Sequence, residues 1–119
     1  MVGLVILAGV IFLGIWAVKK SANAPGRYDA LATALTQSGA KFYGAFWCPH
    51  CQQQKTWFGK SAKLLPYVEC SNPDHTQIKI CADAGIKGYP TWIFADGTTQ
   101  SGEIRPADLA KKIGFDLSK

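Results

Sequence analysis

The chain has 119 residues, 48% of them hydrophobic, and a formal net charge of +5 from 13 Lys and Arg against 8 Asp and Glu. This length allows one domain with one modest core and excludes two independently folded domains. The basic residues are scattered among acidic ones instead of forming a basic stripe, which argues against nucleic-acid binding.

The hydrophobic residues are concentrated at the amino terminus, where residues 1–18 contain fifteen of them, three glycines and no charge. An apolar run of about 18 residues reaches the lower limit for crossing a bilayer and exceeds the usual core of a signal peptide. We therefore expect residues 1–20 to form one transmembrane anchor, with a signal peptide as the alternative. Residues 21–26 (SANAPG) have the composition of a linker, and residues 27–119 are expected to form the folded domain.

The folded part alternates helix and strand patterns. Apolar residues at helical spacing predict a first helix over residues 28–35. Residues 41–47 (KFYGAFW) are dense in aromatic side chains and predict a buried strand. A second helix is predicted from the cysteine motif at residues 48–51 to Pro66, because residues 52–65 contain no helix breaker except Gly59.

The second half of the chain continues this alternation. Its predicted elements are a strand at 67–70, a helix at 75–84, a strand at 91–94, a strand at 98–104 and a helix at 106–115. Asp96 and Gly97 form a hairpin turn signal between the last two strands. The order predicts an α/β domain with a four-stranded mixed sheet flanked by helices, in which a parallel crossover precedes an antiparallel hairpin.

The chemistry is concentrated in Cys48, Pro49, His50 and Cys51. A cysteine at a helix amino terminus faces unsatisfied backbone N–H groups and the positive end of the helix dipole, which favour the thiolate. The two-residue spacing brings the second sulfur within bonding distance. His50 can add a positive charge or a hydrogen bond, and Pro49 sets the φ angle of the first helical turn. These residue types suit a reversible dithiol–disulfide couple.

Other uses of the cysteines remain as alternatives. Four cysteines at positions 48, 51, 70 and 81 could bind zinc, but the second pair is separated by ten residues, which is wider than the usual spacing of zinc ligands. A purely structural 48–51 disulfide would close almost no loop and constrain little of the unfolded chain. The alternative function of another class is therefore a non-catalytic binding module with structural zinc or fixed disulfides.

Three segments together resemble a known family. Residues 42–52 (FYGAFWCPHCQ), 67–70 (YVEC) and 88–92 (GYPTW), with Cys81, resemble the thioredoxin-like domain fused to bacterial and plant vitamin K epoxide reductase homologues. The Cys-Pro-His-Cys motif is also shared with DsbA-type oxidases. The resemblance covers residues 41–115 and implies a thioredoxin-like fold. It also implies a protein thiol–disulfide oxidoreductase that needs no cofactor beyond its own redox-active disulfide.

The resemblance implies a role for each matching residue. Cys48 would be the exposed attacking thiolate, and Cys51 the resolving cysteine. Pro90 would be a cis-proline whose loop lies against the disulfide and pairs with substrate backbone. Tyr89 and Trp47 join Pro90 as candidate substrate-binding residues, although we expect Trp47 to pack mainly beneath the active site.

The chain departs from the family at two points. Many relatives have a buried acid six residues before the first cysteine, which accepts a proton from the resolving thiol, and Phe42 occupies that position here. Proton transfer would then involve water or a group that the sequence does not identify. The fused homologues also contain a four-helix membrane domain, whereas this chain has one apolar segment, so its electron partner would be a separate vitamin K epoxide reductase-like membrane protein.

The remaining cysteines bear on the compartment. The resemblance favours a structural disulfide between Cys70 and Cys81 over free or electron-relaying thiols, and its loop of about twelve residues would contribute up to roughly 3 kcal/mol. Four paired cysteines in a small domain indicate an oxidising compartment. Lys19 and Lys20 indicate the opposite orientation, because positive charge beside a membrane helix favours the cytoplasmic side. We give the cysteines more weight and expect a single-pass membrane protein whose domain faces the periplasm or thylakoid lumen.

The expected activity is oxidation of cysteine-containing exported or lumenal proteins, with disulfide reduction or isomerisation as the alternative. Two minor expectations concern surface residues. His75 is expected to be a solvent-exposed residue at a helix start. Lys55, Lys60 and Lys63 are expected on the solvent face of the second helix.

Overall fold

The computed structural model describes residues 26–118. The predicted anchor at residues 1–20 and all but the last residue of the predicted linker lie outside the described residues. Within residues 26–118, no helix has both the length and the apolar character needed to cross a bilayer.

Four short strands form one mixed sheet. They are β1 (Lys41–Gly44), β2 (Tyr67–Glu69), β3 (Thr91–Ile93) and β4 (Thr99–Ser101), in the spatial order β2-β1-β3-β4. β1 pairs in parallel with β2 and antiparallel with β3, and β3 pairs antiparallel with β4. A parallel pair needs a long crossover connection, which here contains the helix that follows β1. The predicted mixed sheet with a parallel crossover and a later hairpin is confirmed.

Within residues 26–118, four α-helices accompany the sheet. They are α1 (Asp29–Ser38), α2 (Pro49–Phe58), α3 (Lys79–Asp83) and α4 (Pro106–Ile113). A 3-10 helix, Gly59–Leu64, follows α2 directly, so the single long helix predicted up to Pro66 is wrong. Gly59 has a φ of 54°, outside the helical range, and this ends the α-helical hydrogen bonding at Phe58.

The predicted helix at 75–84 is reduced to the five residues of α3. His75 has a φ of 71°, which lies in the left-handed region and outside the range of a right-handed helix. Its prediction as a helix-start residue is therefore wrong. Asp74 Oδ1 accepts hydrogen bonds from the backbone N–H and the hydroxyl of Thr76, at 3.1 and 2.6 Å, and an isolated bridge pairs Ser71 with Gln77. These local bonds form a loop in place of the first helical turns.

The strands are also shorter than predicted. β1 ends at Gly44 because Cys48 N donates to Ala45 O at 3.0 Å, which closes a turn before the cysteine motif. Phe46 and Trp47, assigned to a buried strand, are 45% and 38% exposed.

The core lies between the sheet and the helices on it. Phe42 on β1 is fully buried, stacks on Trp92 at 5.0 Å between ring centroids and meets Tyr67 edge-on at 4.9 Å. Gln54 on α2 is also fully buried. Its amide donates to Ile104 O at 2.7 Å and accepts from Ile104 N at 2.8 Å and from Trp92 Nε1 at 3.1 Å. Gln54 thus joins the middle of α2 to β3 and to the segment before α4.

Candidate active site

The two cysteines of the motif lie where the turn after β1 leads into α2. Cys48 is the residue before the helix, in an extended conformation, and Pro49 is the first helical residue. Both Cys48 and Cys51 are free thiols. Cys48 is 6% exposed and Cys51 is 1% exposed, so the expectation of an exposed attacking thiol is wrong for this structure, although Cys48 is the more accessible sulfur.

The loop at Pro90 covers Cys48. The Tyr89–Pro90 peptide bond is cis. The Sγ of Cys48 donates to the carbonyl oxygen of Tyr89 at 3.5 Å, while Pro90 is buried and Tyr89 is half-buried. The structure therefore brings Cys48, Tyr89 and Pro90 together, and the contact with this loop accounts for the low exposure of Cys48.

His50 is exposed and pairs with Glu103. Its Nδ1 lies 2.6 Å from the Oε1 of Glu103, and its side chain is 72% exposed. Among the described residues, the hydrogen-bond partner of Cys48 Sγ is Tyr89 and not His50. Of the two roles considered for His50, a positive charge or a hydrogen bond, the hydrogen bond to the Cys48 sulfur is not formed among the described residues, and Glu103 in the segment after β4 holds the ring.

Trp47 lies beside the active site instead of beneath it, which corrects the expected packing. Its Nε1 donates to Ser71 Oγ at 2.7 Å, and its ring stacks on His75 at 5.0 Å. Tyr89 meets Trp47 edge-on at 5.9 Å, and Phe46 meets His75 edge-on at 5.6 Å. These four rings form an aromatic patch next to Cys48, defined here as Phe46, Trp47, His75 and Tyr89.

Cys51 is packed against β1 and β2. A Cβ atom placed on Gly44 would lie 2.9 Å from Cys51 Sγ and 2.8 Å from Tyr67 Cε2. Burial raises the pKa of the Cys51 thiol from its ordinary value of 9.0 to about 12, and a backbone hydrogen bond from Ala45 and the charge of Lys55 oppose this increase. The resolving cysteine thus lies in an environment that disfavours its thiolate.

Glu69 is a polar residue of the site that was not predicted from the sequence. It is half-buried and accepts hydrogen bonds from the Tyr67 hydroxyl at 3.0 Å, from Phe46 N at 3.1 Å and from Ser71 N at 3.1 Å. Burial, and then the hydrogen bond to Glu69, raise the pKa of Tyr67 above its ordinary value. The parallel register of β1 and β2 places Glu69 opposite Gly44, which lies just before the cysteine motif. The position of Glu69 near the motif therefore depends on strand pairing and could not be read from the sequence.

Cys70 and Cys81 are joined by a disulfide bond, and both are fully buried. The bond links the chain just after β2 to α3 and closes the loop that carries Ser71 and His75. Two of the four cysteines considered as zinc ligands are therefore bonded to each other in a disulfide. Within residues 26–118, no cluster of three or more His, Cys, Asp or Glu side chains is arranged to hold a metal ion.

The fold and the paired cysteines are those of the thioredoxin family. The family model described as thioredoxin matches residues 29–114, and the chain belongs to this family. Oxidoreductases of this fold typically need no cofactor.

Two curated proteins show the likeness in more detail. The thiol-disulfide oxidoreductase LTO1 of Arabidopsis thaliana is 50% identical over 95 residues, which cover 76% of this chain and 25% of that protein. The thioredoxin domain-containing protein 5 homolog of Drosophila melanogaster is 46% identical over 60 residues, which cover 47% of this chain and 14% of that protein. The chain thus spans a quarter or less of the length of these relatives.

Among solved structures, oxidized glutaredoxin 2 from Chlamydomonas reinhardtii aligns with a TM-score of 0.36 at 20% identity. The alignment covers 74% of this chain and 82% of that one.

Proposed function

We propose that this chain is a protein thiol–disulfide oxidoreductase that works through a reversible Cys48–Cys51 disulfide. The observation that carries this proposal is the position of Cys48, a free thiol at the amino terminus of α2 with its sulfur 3.5 Å from Tyr89 O. A helix amino terminus favours the thiolate that such exchange requires. The likeness to LTO1, whose name is that of a thiol-disulfide oxidoreductase, supports the same reaction.

The reaction proceeds in two exchanges. In the reducing direction, the Cys48 thiolate attacks one sulfur of a substrate disulfide, forms a mixed disulfide and releases the other substrate sulfur as a thiolate. Cys51 then loses its proton to water and attacks Cys48 Sγ, which releases the second substrate thiolate and leaves Cys48 and Cys51 oxidised. The oxidising direction is the reverse sequence and transfers two electrons from the substrate dithiol to the protein.

The aromatic patch and the Pro90 loop are the proposed substrate contacts. Trp47 and Phe46 offer exposed apolar surface beside Cys48, and Tyr89 and Pro90 border the sulfur on the opposite chain segment. A cysteine-containing polypeptide fits this surface, because extended backbone can approach the loop while apolar side chains cover the rings.

We propose oxidation as the principal direction, with exported or lumenal proteins as substrates and a separate vitamin K epoxide reductase-like membrane protein as electron acceptor. The Cys70–Cys81 disulfide supports an oxidising compartment, such as the periplasm or the thylakoid lumen. The apolar segment at residues 1–18 supports a single-pass tether, which would raise the concentration of the domain near membrane partners.

An exchange assay with a protein disulfide tests the reaction. Wild type is expected to exchange disulfides, and Cys48→Ser to lose the activity. Lys63→Met, which replaces an exposed side chain outside the site, serves as the control and is expected to keep the activity. Equal activity of wild type and Cys48→Ser would rule out the proposed reaction.

Equilibration with glutathione buffers tests the direction. The expected reduction potential lies closer to that of the oxidant DsbA, about −120 mV, than to that of thioredoxin, about −270 mV. A value near that of thioredoxin would assign the chain to disulfide reduction.

A further inference from the structure

The resolving cysteine of this chain has no acidic partner on β1. Phe42 occupies the expected place of the acid and is part of the apolar core, stacked on Trp92. Cys51 itself is 1% exposed. An ionised sulfur that is removed from water needs a nearby opposite charge or hydrogen-bond donors to offset its desolvation.

Lys55 is the cation nearest in sequence to this sulfur. It follows Cys51 by four residues in α2, so the two side chains share one face of the helix. Side chains in a helix lean toward its amino terminus, which directs Lys55 toward Cys51. Lys55 was expected on the solvent face together with Lys60 and Lys63, but it is half-buried, whereas the other two are exposed.

Tyr67 holds the ammonium group of Lys55 in place. The Lys55 Nζ lies 3.7 Å from the centroid of the Tyr67 ring, a close cation–π contact. The ring is fixed by the hydrogen bond from its hydroxyl to Glu69 and by the edge contact with Phe42.

The same ring lies next to the resolving sulfur. One point, the position of a Cβ on Gly44, is 2.8 Å from the Tyr67 ring and 2.9 Å from Cys51 Sγ. The ring that carries the Lys55 ammonium is therefore packed beside Cys51, and the missing side chain of Gly44 permits this approach.

We propose that Lys55, held by Tyr67, supplies the positive charge that stabilises the Cys51 thiolate in the disulfide exchange. This inference rests on the proposed function. In the reducing direction Lys55 favours the attacking Cys51 thiolate, whose proton has left to water. In the oxidising direction it favours the same thiolate as the group released from Cys48 when a substrate thiolate attacks that sulfur.

The charges around Cys51 agree with this role. The titratable groups that face it are Cys48 and Lys55 on the cysteine helix, and Tyr67 with its partner Glu69 on β2. Burial, and after it the hydrogen bond and charge of Cys48, raise the pKa of Cys51, and Lys55 is the one cation of this set that lowers it.

Titration of Cys51 tests the charge without depending on turnover. In the 119-residue chain carrying Cys48→Ser, Cys51 is the one remaining free thiol, and its thiolate can be followed by ultraviolet absorbance against pH. Adding Lys55→Met is expected to move this titration to higher pH, because a positive charge that favours the thiolate is lost. Lys55→Arg is expected to leave it near its original position, and Lys63→Met, which removes an exposed charge, is the matched control. Tyrosine absorbance is subtracted with the Cys48→Ser, Cys51→Ser chain.

Stopped-flow measurement of mixed-disulfide resolution gives the second readout. Lys55→Met in the wild-type background is expected to slow resolution about threefold to tenfold near neutral pH, because a smaller thiolate fraction is partly offset by a more nucleophilic sulfur. If the wild type exchanges disulfides but Cys51 titrates at the same pH in the Lys55→Met and Lys63→Met variants, the role of Lys55 is overturned and the proposed function stands. Absence of any exchange in wild type would instead overturn the proposed function, and the role of Lys55 with it.

Discussion

Gly44 shows how one residue sets the spacing of the active site. It ends β1 opposite Glu69, and a side chain there would meet Tyr67 and Cys51 at distances that real Cβ atoms do not show. The Tyr67 ring packs against the core and is held by its contacts with Phe42 and Glu69, so it cannot move aside freely. The absence of a side chain is therefore a requirement of packing and not of backbone conformation.

Gly44→Ala is expected to lower the free energy of unfolding by about 1–3 kcal/mol, the usual cost of overpacking a core. Gly88→Ala is the matched control, since a Cβ there has no atom within 4 Å. Denaturant unfolding of both variants measures the difference. Equal stability of the two variants would show that β1 and β2 can separate at no cost.

At the residue scale, the sequence identified the reacting residues better than the residues that surround them. Cys48, Cys51 and Pro90 could be selected from spacing and resemblance, because these signals are local in the chain. Glu69 and Glu103 could not, since they reach the site through strand register and through the segment after β4. Lys55 was assigned to solvent because helical spacing does not reveal which neighbour covers a face.

Gln54 is the main polar connection between elements in the core. Its side chain satisfies the backbone of Ile104 and the indole of Trp92, and all of these groups are buried. Loss of the amide would leave buried donors and an acceptor without partners, which costs more than the hydrogen bonds themselves contribute.

Gln54→Leu is expected to lower the free energy of unfolding by about 2–4 kcal/mol, because several buried polar groups lose their partners together. Gln53→Leu, at the exposed neighbouring position of the same helix, is expected to change it by less than about 0.5 kcal/mol. Thermal or denaturant unfolding measures both. If Gln54→Leu were as stable as Gln53→Leu, the amide would not be holding α2 to the sheet.

The loop after β2 shows why element boundaries were less predictable than element order. Alternation of helix and strand patterns was sufficient to predict the parallel crossover and the later hairpin, whereas the antiparallel pairing of β1 with β3 became known only from the structure. The start of α3 was misplaced because Asp74 and Thr76 form a local turn that competes with helix formation. The Cys70–Cys81 bond then holds this loop beside Trp47.

Replacing both Cys70 and Cys81 by alanine is expected to lower the free energy of unfolding by about 3 kcal/mol, because the bond closes a loop of about twelve residues in the unfolded chain. Unfolding of the variant and of the wild type under non-reducing conditions gives the comparison. Unchanged stability would mean that the bond does not constrain the unfolded chain.

For the whole molecule, Cys51 makes stability depend on redox state at alkaline pH. Its pKa in the folded protein, about 12, exceeds its ordinary value of 9.0, so the folded state keeps a proton that the unfolded chain loses above pH 9. A raised pKa gives stability that is complete below about pH 9 and is lost as the pH rises toward 12. The reduced protein is therefore expected to lose stability over this range.

The oxidised protein provides the control, because its Cys51 does not titrate. Its free energy of unfolding should fall less steeply between pH 9 and 11 than that of the reduced protein, as measured by denaturant unfolding with Cys70 and Cys81 bonded in both states. Parallel pH profiles for the two redox states would contradict the raised pKa of Cys51.

The central claim is that Cys48 forms the covalent bond to the substrate and Cys51 resolves it. Trapping the intermediate in Cys51→Ser with a peptide disulfide, followed by intact mass and peptide mapping, tests this most directly. We predict one stable adduct on Cys48 in this variant and no lasting adduct in the wild type. Failure to form an adduct on Cys48, or attachment at Cys70 or Cys81, would contradict the account.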